Sequence, residues 1–536
     1  MKPHASAPHF PSASPRRLRL RSLTCAAVGV TLVALSGCRV NEAATIPTTA
    51  PSREAVRIPA SLTSQALRWH ACPPPAPSQG PGPAPGAAWQ CSTLKVPLDY
   101  RKPGGETMRL ALIRTKAKDR GKRLGSLIFN FGGPGGSGVA SLPQTGKDFS
   151  RLGSRYDLVS FDPRGVGMSR GVTCLQGKDL DRHYAVDLTP DDAAEEALLK
   201  ASTKRYIKAC QKNSGKILPH VGTENAARDI DLLRGVLGES RTKYFGISYG
   251  TELGAVYAHL FPDRVGRFVL DAAVDPTEGK TQLRLNQVRG FQLALDHYMK
   301  DCAKQAATCP TGSGGKDGNT RITALLHKLD SKPLPTSQGR RLTADLAETG
   351  IGAALYSQQA WKLLTQGLEQ AMAGRSGDVL LALADMYLER DVKGRYSTLH
   401  ASNLAIDCVD TNERVDEREM AALLPKFREA SPVFGESAAW ERGCNDWPVR
   451  GTSAHRDVRA AGAAPILVIG QTGDPATPHD GAKKLARALG DKVGVDISVE
   501  GEGHGAYSAT GNPCLTALVD AYLLKGTVPS RGTRCA

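Results

Sequence analysis

The amino-acid sequence predicts an α/β fold in which a mainly parallel sheet is interrupted once by a block of helices. Short apolar runs flanked by turn residues alternate with helical patterns, as expected for buried parallel strands joined by helices. Between residues 276 and 450 the strand pattern gives way to helical segments, and afterwards it returns. We therefore expect the first part of the core over 66–275, an inserted helical cap over 276–450, and the second part of the core over 451–536.

Several runs have the composition of buried strands because each is short, apolar and followed by turn residues. They lie at 127–130, 158–161, 243–246, 268–270, 465–469 and 495–499. Helical spacing predicts helices in the core at 225–237 and 253–261, and in the cap at 351–374 and 377–387. In open α/β sheets ligands bind at the carboxyl ends of the strands, so the loops that follow these runs are the places to look for a site.

The N-terminus resembles an export signal. Residues 1–37 contain five Lys or Arg and no acid, and an apolar stretch at 23–35 is short for a membrane span. This stretch leads into Leu-Ser-Gly and Cys38, which resembles the lipobox of bacterial lipoproteins. We expect a signal peptide over 1–37, lipidation of Cys38, a flexible tether over 38–65, and a lipoprotein at the extracellular face of the membrane. Two adjacent arginines leave the export route, general or twin-arginine, open.

Composition excludes some classes of function. The chain has 69 Lys and Arg against 53 Asp and Glu, a formal net charge of +16 at pH 7. This excess suits an anionic cell surface as well as a nucleic acid. Because we find no zinc-finger spacing, no aromatic RNA-binding run and no long basic helix, we do not expect nucleic-acid binding. With 40% hydrophobic residues the chain has enough apolar material for a packed core.

Twelve cysteines agree with export, because disulfides persist in oxidising compartments. Cys25 lies in the predicted signal peptide and Cys38 at its end, which leaves an even set of ten. The sequence does not fix their connectivity, and pairing of sequence neighbours is the simplest arrangement: Cys72 with Cys91, Cys174 with Cys210, Cys302 with Cys309, Cys408 with Cys444, and Cys514 with Cys535. There is no C-x-x-C or H-E-x-x-H motif, so we expect no metal.

The run G-I-S-Y-G at 246–250 is the candidate nucleophile motif. It follows a predicted strand and precedes a predicted helix. Glycines two residues on either side of Ser248 permit the tight strand-to-helix turn that exposes a nucleophilic hydroxyl above the sheet. A serine hydroxyl needs a base, so the chain should also supply an acid and a histidine further along.

Asp474 and His504 are the candidate acid and base. Each follows a predicted strand, and the order Ser, Asp, His is that of the α/β-hydrolases. Asp271 is an alternative acid, because it also follows a strand, and Asp275 is a weaker one. His479 also lies beyond Asp474, but in a predicted turn, and we favour His504.

A glycine-rich loop at 131–138 is the candidate oxyanion loop. It follows the predicted strand at 127–130, where this fold supplies one backbone N–H to the oxyanion, and the residue after the nucleophile supplies the other. We predict Gly133 and Tyr249 as the donors, with Gly132 next. A phosphate loop is the alternative, but no G-x-x-x-x-G-K-[ST] motif is present. Asp162 and Arg164 in the following D-P-R-G loop are expected to brace the site.

Together these motifs are recognisable. G-G-P-G-G-S-G at 132–138, D-P-R-G-V-G at 162–167, G-I-S-Y-G-T at 246–251 and G-D-P-A-T-P at 473–478 resemble the secreted tripeptidyl aminopeptidase-like α/β-hydrolases of actinobacteria, relatives of the prolyl aminopeptidases. The resemblance covers about residues 66–536. It implies an α/β-hydrolase fold with a cap over the site, no cofactor, and release of short N-terminal peptides, often tripeptides. It also implies that Ser248, Asp474 and His504 form the catalytic triad.

An aminopeptidase must recognise a free α-ammonium group, usually with carboxylates. The candidates are Asp410 and Asp407 in the cap and Glu252 near the nucleophile, where we expect the family to have an aromatic residue. Each of these could instead be a solvated or salt-bridged carboxylate. A carboxylesterase or lipase that uses the same triad is the alternative function, because this fold does not determine its substrate. The expected partners are peptide substrates and, through the anchor, the membrane, and the oligomeric state stays open.

Overall fold

The centre of the protein is a ten-stranded, mainly parallel sheet. The computed structural model describes residues 57–305, 308–440, 444–453, 456–509 and 511–536. Their strands are β1 (His70–Ala71), β2 (Trp89–Pro97), β3 (Thr107–Thr115), β4 (Gly125–Asn130), β5 (Tyr156–Phe161), β6 (Thr242–Ile247), β7 (Val265–Asp271), β8 (Leu334–Pro335), β9 (Arg341–Leu342), β10 (Ile466–Gly473), β11 (Gly494–Glu502) and β12 (Thr533–Cys535). The order across the large sheet is β1-β2-β3-β5-β4-β6-β7-β10-β11-β12, while β8 and β9 form a separate hairpin.

Strands β4 to β7 and β10 to β12 are parallel to one another, whereas β1, β2 and β3 are antiparallel to each other and β3 is antiparallel to β5. Every residue of β4 and β5 is buried, as expected for strands covered on both faces. All six predicted strands are present. The edge strands β1, β2, β3 and β12 were not predicted, although β2 alternates buried and exposed residues near its end.

Helices cover both faces of the sheet. In the described residues they are α1 (Ala60–Thr63), α2 (Gly138–Thr145), α3 (Lys178–Tyr184), α4 (Ala193–Ser214), α5 (Thr223–Val236), α6 (Tyr249–Leu260), α7 (Lys280–Cys302), α8 (Gly315–Ser331), α9 (Ala344–Leu355), α10 (Trp361–Met372), α11 (Asp378–Tyr387), α12 (Leu399–Asp410), α13 (Glu417–Ala430), α14 (Gly435–Trp440), α15 (Asp480–Leu489), α16 (Ala506–Ala509) and α17 (Pro513–Asp520). Successive residues of a strand point to opposite faces of the sheet. In β10, Leu467 packs in one hydrophobic cluster and Val468 in the other.

The helices α7 to α14 lie in the chain between β7 and β10, two neighbouring strands of the sheet, and form an inserted helical block. One hydrophobic cluster contains Leu295, Ile351 and Leu380 of this block together with Tyr244 and Ile466 of the sheet. The cap therefore shares its core with the sheet. The single helix predicted at 351–374 is wrong, because the chain breaks after α9 and starts again at α10.

Five disulfides join sequence neighbours, which confirms the simplest pairing. They are Cys72–Cys91, Cys174–Cys210, Cys302–Cys309, Cys408–Cys444 and Cys514–Cys535. Within the described ranges, no helix has both the length and the apolar character needed to cross a bilayer. The predicted signal peptide, Cys38 and most of the predicted tether lie outside the described residues.

Candidate active site

Ser248 occupies a sharp turn between β6 and α6. Its φ of 57° lies in the left-handed region, and its N–H donates to the carbonyl of Asp271 at 3.0 Å. The flanking glycines are needed for close approach: a Cβ on Gly246 would lie 2.3 Å from the carbonyl oxygen of Gly250, and one on Gly250 would lie 2.5 Å from that of Asn130. The sequence motif therefore folds as the strained turn that the prediction requires.

Asp474 and His504 are in direct contact. His504 Nδ1 lies 2.9 Å from Asp474 Oδ1 and 3.0 Å from Oδ2. Asp474 is 1% exposed, and its carboxylate also accepts hydrogen bonds from the backbone of Ala476 and from the backbone and hydroxyl of Thr477, each at 2.9 Å. These bonds fix the carboxylate before it meets the imidazole. Because Nδ1 faces Asp474, Nε2 is left to exchange a proton with a nucleophile.

Asp271 joins the nucleophile turn to the histidine loop. Its backbone carbonyl accepts from Ser248, while its carboxylate accepts from the backbone N–H groups of Ala506 at 3.0 Å and Tyr507 at 2.8 Å. A Cβ on Gly505 would lie 3.6 Å from Ile247, so the loop that follows His504 also packs beside this turn. The structure thus brings the three predicted triad residues into one region and gives the rival acid Asp271 a bracing position.

The environment of His504 favours its protonated form. Burial alone would lower its pKa, but the charge and hydrogen bond of Asp474, together with the charge of Asp271, outweigh burial and raise that pKa above its ordinary value. Such an imidazole can take a proton from a hydroxyl and hold it while charge develops on the substrate.

The cap contacts His504 directly. Tyr356 follows α9, and its carbonyl accepts the backbone N–H of His504 at 2.9 Å. Its ring meets the imidazole edge-on, with 5.3 Å between centroids, and packs against Phe291 and Tyr387 of the cap. Tyr356 could not be predicted from the sequence. Its carbonyl is exposed because α9 ends there, and we find no clear sequence signal for this helix end.

The glycine-rich loop lies against the nucleophile turn. A Cβ on Gly132 would lie 2.8 Å from Ser248 Cβ and 3.2 Å from the backbone nitrogen of Tyr249. The N–H of Gly132 donates to Asn130 Oδ1 at 3.1 Å, so the prediction that it is an oxyanion donor is not supported by its geometry. Tyr249 is the first residue of α6, where an N–H has no partner within the helix. Gly133 and Tyr249 remain the predicted donors.

Two buried charges brace the site as the sequence predicts. Asp162 accepts from the hydroxyl of Ser137 at 2.6 Å and the backbone of Val139 at 3.1 Å, which fixes the start of α2 after the glycine loop. Arg164 forms two 2.7 Å bonds to Asp229, and both side chains are fully buried. Asp162 thus fixes the start of α2, and Arg164 fixes its own loop against α5.

Helix α12 lies over the glycine-rich loop. A Cβ on Gly133 would lie 3.3 Å from the side chain of Leu399, and one on Gly135 would lie 2.4 Å from its carbonyl. Leu399, Asn403 and Asp407 are spaced by four residues, so they share one side of this helix. The far end of α12 carries Asp407 and Asp410, two of the predicted ammonium ligands.

The predicted ammonium ligands lie together, but each has a cationic partner. Arg456 binds Glu252 at 3.0 Å and Asp410 at 2.5 Å, and both carboxylates have side chains that are 6% exposed. Asp410 also accepts from Thr223, whose hydroxyl lies 2.7 Å from the hydroxyl of Tyr249. The alternative of salt-bridged carboxylates is therefore observed for Asp410 and Glu252.

Asp407 is the accessible member of this group. Its side chain is 33% exposed, and Lys280, at the first turn of α7, binds it at 2.7 Å. The charges of Asp407, Glu252 and Asp410 raise the pKa of Lys280, although its partial burial acts in the opposite direction. We call Asp407, Asp410, Glu252, Lys280 and Arg456 the charge cluster. With three acids and two bases, the cluster has a formal net charge of −1.

Comparison with known proteins places this arrangement in a family. Residues 125–309 match the alpha/beta hydrolase fold family and residues 431–535 match the TAP-like protein family. Serine protease Hip1 of Mycobacterium tuberculosis is 38% identical over 464 residues, which cover 83% of this chain and 87% of that protein. This chain belongs to the TAP-like serine hydrolases of actinobacteria.

Other relatives of this TAP-like hydrolase carry different names. Carboxylesterase B of M. tuberculosis is 36% identical over 456 residues, with 83% of this chain and 86% of that protein covered. Tripeptidyl aminopeptidase of Streptomyces lividans is 31% identical over 457 residues, with 83% of each chain covered. The TAP-like hydrolase is thus an α/β-hydrolase enzyme of the serine class, and its substrate needs a separate argument.

Proposed function

We propose that this protein is an exported serine aminopeptidase that releases short N-terminal peptides, mainly tripeptides. Ser248 attacks the scissile carbonyl, His504 takes its proton and later gives it to the leaving amine, and Asp474 orients the imidazole. The N–H groups of Gly133 and Tyr249 stabilise the oxyanion. Water then releases the peptide from the acyl-enzyme. The contact between Asp474 and His504 beside the Ser248 turn supports this most strongly.

The charge cluster supports a substrate with a free N-terminus. The cluster has a formal net charge of −1, because Glu252 and Asp410 share Arg456, and Asp407 is its accessible carboxylate. A substrate ammonium would supply the missing positive charge in a partly desolvated place, where an ion pair is stronger than in water. We propose Asp407 as the residue that recognises it, in competition with Lys280, whereas Asp410 and Glu252 contribute through their charge.

The length of α12 favours a tripeptide. Leu399 contacts the glycine-rich loop, and Asp407 lies eight residues further along the same helix. At 1.5 Å per residue, the separation along the axis is about 12 Å. An extended tripeptide spans about 10–11 Å, whereas a single residue spans about 3.5 Å. A peptide whose scissile carbonyl lies at the oxyanion loop would therefore bring its ammonium to Asp407 after three residues.

The test compares a tripeptide anilide that has a free amine with its N-acetylated form. We expect the Asp407→Asn variant to raise KM for the free amine about tenfold, as expected for an ion pair of roughly 1.4 kcal/mol, and to leave the acetylated substrate unchanged. Asp491→Asn is the matched control, because Asp491 is 95% exposed. Equal effects of Asp407→Asn on both substrates would show that Asp407 does not bind the substrate ammonium. Such a result would not affect the proposed triad.

A carboxylesterase is the second candidate, because a relative at 36% identity carries that name. The same triad and oxyanion donors hydrolyse esters. The two functions are separated by the ratio of kcat/KM for the free tripeptide anilide to that for a short-chain ester. A strong preference for the ester, with no gain from a free amine, would favour the esterase.

We also propose that the protein is a lipoprotein anchored through Cys38 outside the cell. The lipobox-like sequence supports the anchor, and the five disulfides agree with an oxidising location. Metabolic labelling with a fatty acid should mark the intact protein but not a Cys38→Ala variant. Equal labelling of both would place the lipid elsewhere, and no labelling of either would remove the anchor.

A further inference from the structure

The exposed side of α4 carries an unusual run of positive charge. Ser202, Tyr206, Ile207 and Cys210 face the core. On the opposite side the cations recur at every fourth residue, so they line one side of the helix over about 18 Å. We call this exposed set the lysine face: Lys200, Lys204, Arg205, Lys208 and Lys212. We expected no long basic helix from the sequence, and the lysine face of α4 shows that this expectation is wrong.

The lysine face does not stabilise its own helix. Like charges four residues apart destabilise a helix, and the face contains three such pairs in succession. Lys200 is offset by Glu196 and Glu417, each at 2.9 Å. Within the part of the chain that the structure describes, no ion pair links Lys204, Lys208 or Lys212 to an acid. These charges are therefore available to an external anion.

The positive surface continues beyond the end of α4. An open groove of about 410 Å³ is lined by Lys212, Lys216 and Arg170. Arg170 has a φ of 57°, an uncommon conformation for a residue other than glycine. Glu106 binds Lys216 at 2.7 Å and lies 3.7 Å from Arg170, so it offsets only part of the charge. The groove and the lysine face form one cationic surface.

This surface lies close to where the described chain begins. Glu106 immediately precedes β3, and Thr107 of β3 pairs with Pro97 of β2. Gln65 binds the backbone of Lys95 on the same strand, two residues from Pro97. The chain that leads back to the predicted anchor at Cys38 therefore joins the fold beside the Lys216 end of the surface. A flexible chain of 28 residues, the length predicted for the tether over 38–65, has an end-to-end distance of about 29 Å, so a membrane anchor would keep the surface near the bilayer.

We propose that the lysine face and its groove dock on the surface of an anionic lipid bilayer. Each lysine near such a surface strengthens binding, and an acyl anchor is more stable with a polybasic partner. The nearby attachment of the tether favours a bilayer over a soluble polyanion. The five disulfides favour a location outside the cytosol, which argues against a nucleic acid. This proposal rests on the proposed lipid anchor at Cys38 and not on the peptidase activity.

The experiment measures binding of the full mature chain to vesicles of phosphatidylcholine alone and of phosphatidylcholine with one-third phosphatidylglycerol. The test variant is Lys204→Gln with Lys208→Gln and Lys212→Gln. The matched control removes the same charge from exposed lysines of the cap, at positions 332, 362 and 393. We expect the test variant to bind anionic vesicles at least about tenfold more weakly, the control to bind like the native chain, and all three to bind neutral vesicles equally.

Two further measurements complete the test. The preference for anionic vesicles should fall with added salt, because exposed charges are screened. Hydrolysis of a soluble substrate should be unchanged in both variants, which shows that they are folded. Equal losses in the test and control variants, or no loss in either, would overturn the proposal. So would binding to polyphosphate or DNA that depends on the lysine face while binding to anionic vesicles does not.

Discussion

The substitution Gly132→Ala is expected to lower kcat strongly through a single added methyl group. Gly132 has a φ of 88°, and its added Cβ would lie 2.6 Å from the Ile247 carbonyl and 2.8 Å from Ser248 Cβ. Ordinary contacts of a Cβ begin at 3.4 Å, so the turn or the loop must move by roughly 0.6–0.8 Å. A displacement of about 1 Å at a reacting group can lower the rate 10²-fold. We expect a decrease of kcat of about that size.

The backbone conformation adds an effect on stability. An alanine in the left-handed region costs about 1–2 kcal/mol, which urea unfolding can detect. Gly238→Ala is the control, because Gly238 has a φ of 76° and no atom lies within 4 Å of the position that its Cβ would take. It should lose similar stability and keep its kcat. A Gly132→Ala enzyme with native kcat would show that this loop does not fix the nucleophile turn, and the reasoning would be refuted.

Further predictions concern the residues around the imidazole. Asp271→Asn removes a charge that raises the pKa of His504. The acidic limb of the pH profile of kcat/KM should therefore move to lower pH. An unmoved limb would contradict the proposed effect of the Asp271 charge on His504. Thr477→Val removes a hydroxyl that donates to Asp474 at 2.9 Å, and kcat should fall about tenfold or more with little change in KM. If steady-state kinetics show a change in KM alone, Thr477 acts on the substrate instead.

Much of the arrangement around the candidate site could be predicted from the sequence. Buried parallel strands are short continuous apolar runs, so β4 to β7, β10 and β11 are visible without any tertiary information. The nucleophile turn depends on glycines whose spacing is set by local geometry, and Asp474 and His504 each follow a strand. Local sequence patterns therefore place Ser248, Asp474 and His504 after strands. Because parallel strands end at the same edge of the sheet, the three residues come close together.

The parts that sequence reasoning missed depend on long-range contacts. Tyr356 touches His504 through a backbone carbonyl, and a carbonyl has no sequence signature. Asp271 resembles a rival acid by position, and only the fold shows that it binds the backbone after His504 instead. Gly132 fits the pattern of an oxyanion donor, yet its N–H is taken by Asn130. Which of several nearby groups form a hydrogen bond depends on how the chain packs, and this cannot be read from a single sequence.

The role of Ser248 is tested most directly by covalent labelling. A fluorophosphonate reacts with a serine that is activated by a neighbouring imidazole, and mass spectrometry of the digested protein identifies the modified residue. We predict one label per chain, on Ser248, with loss of hydrolysis in step with labelling, and a much slower reaction in a His504→Gln variant. A label on another serine, or full hydrolysis after Ser248 is labelled, would contradict the assignment of the triad.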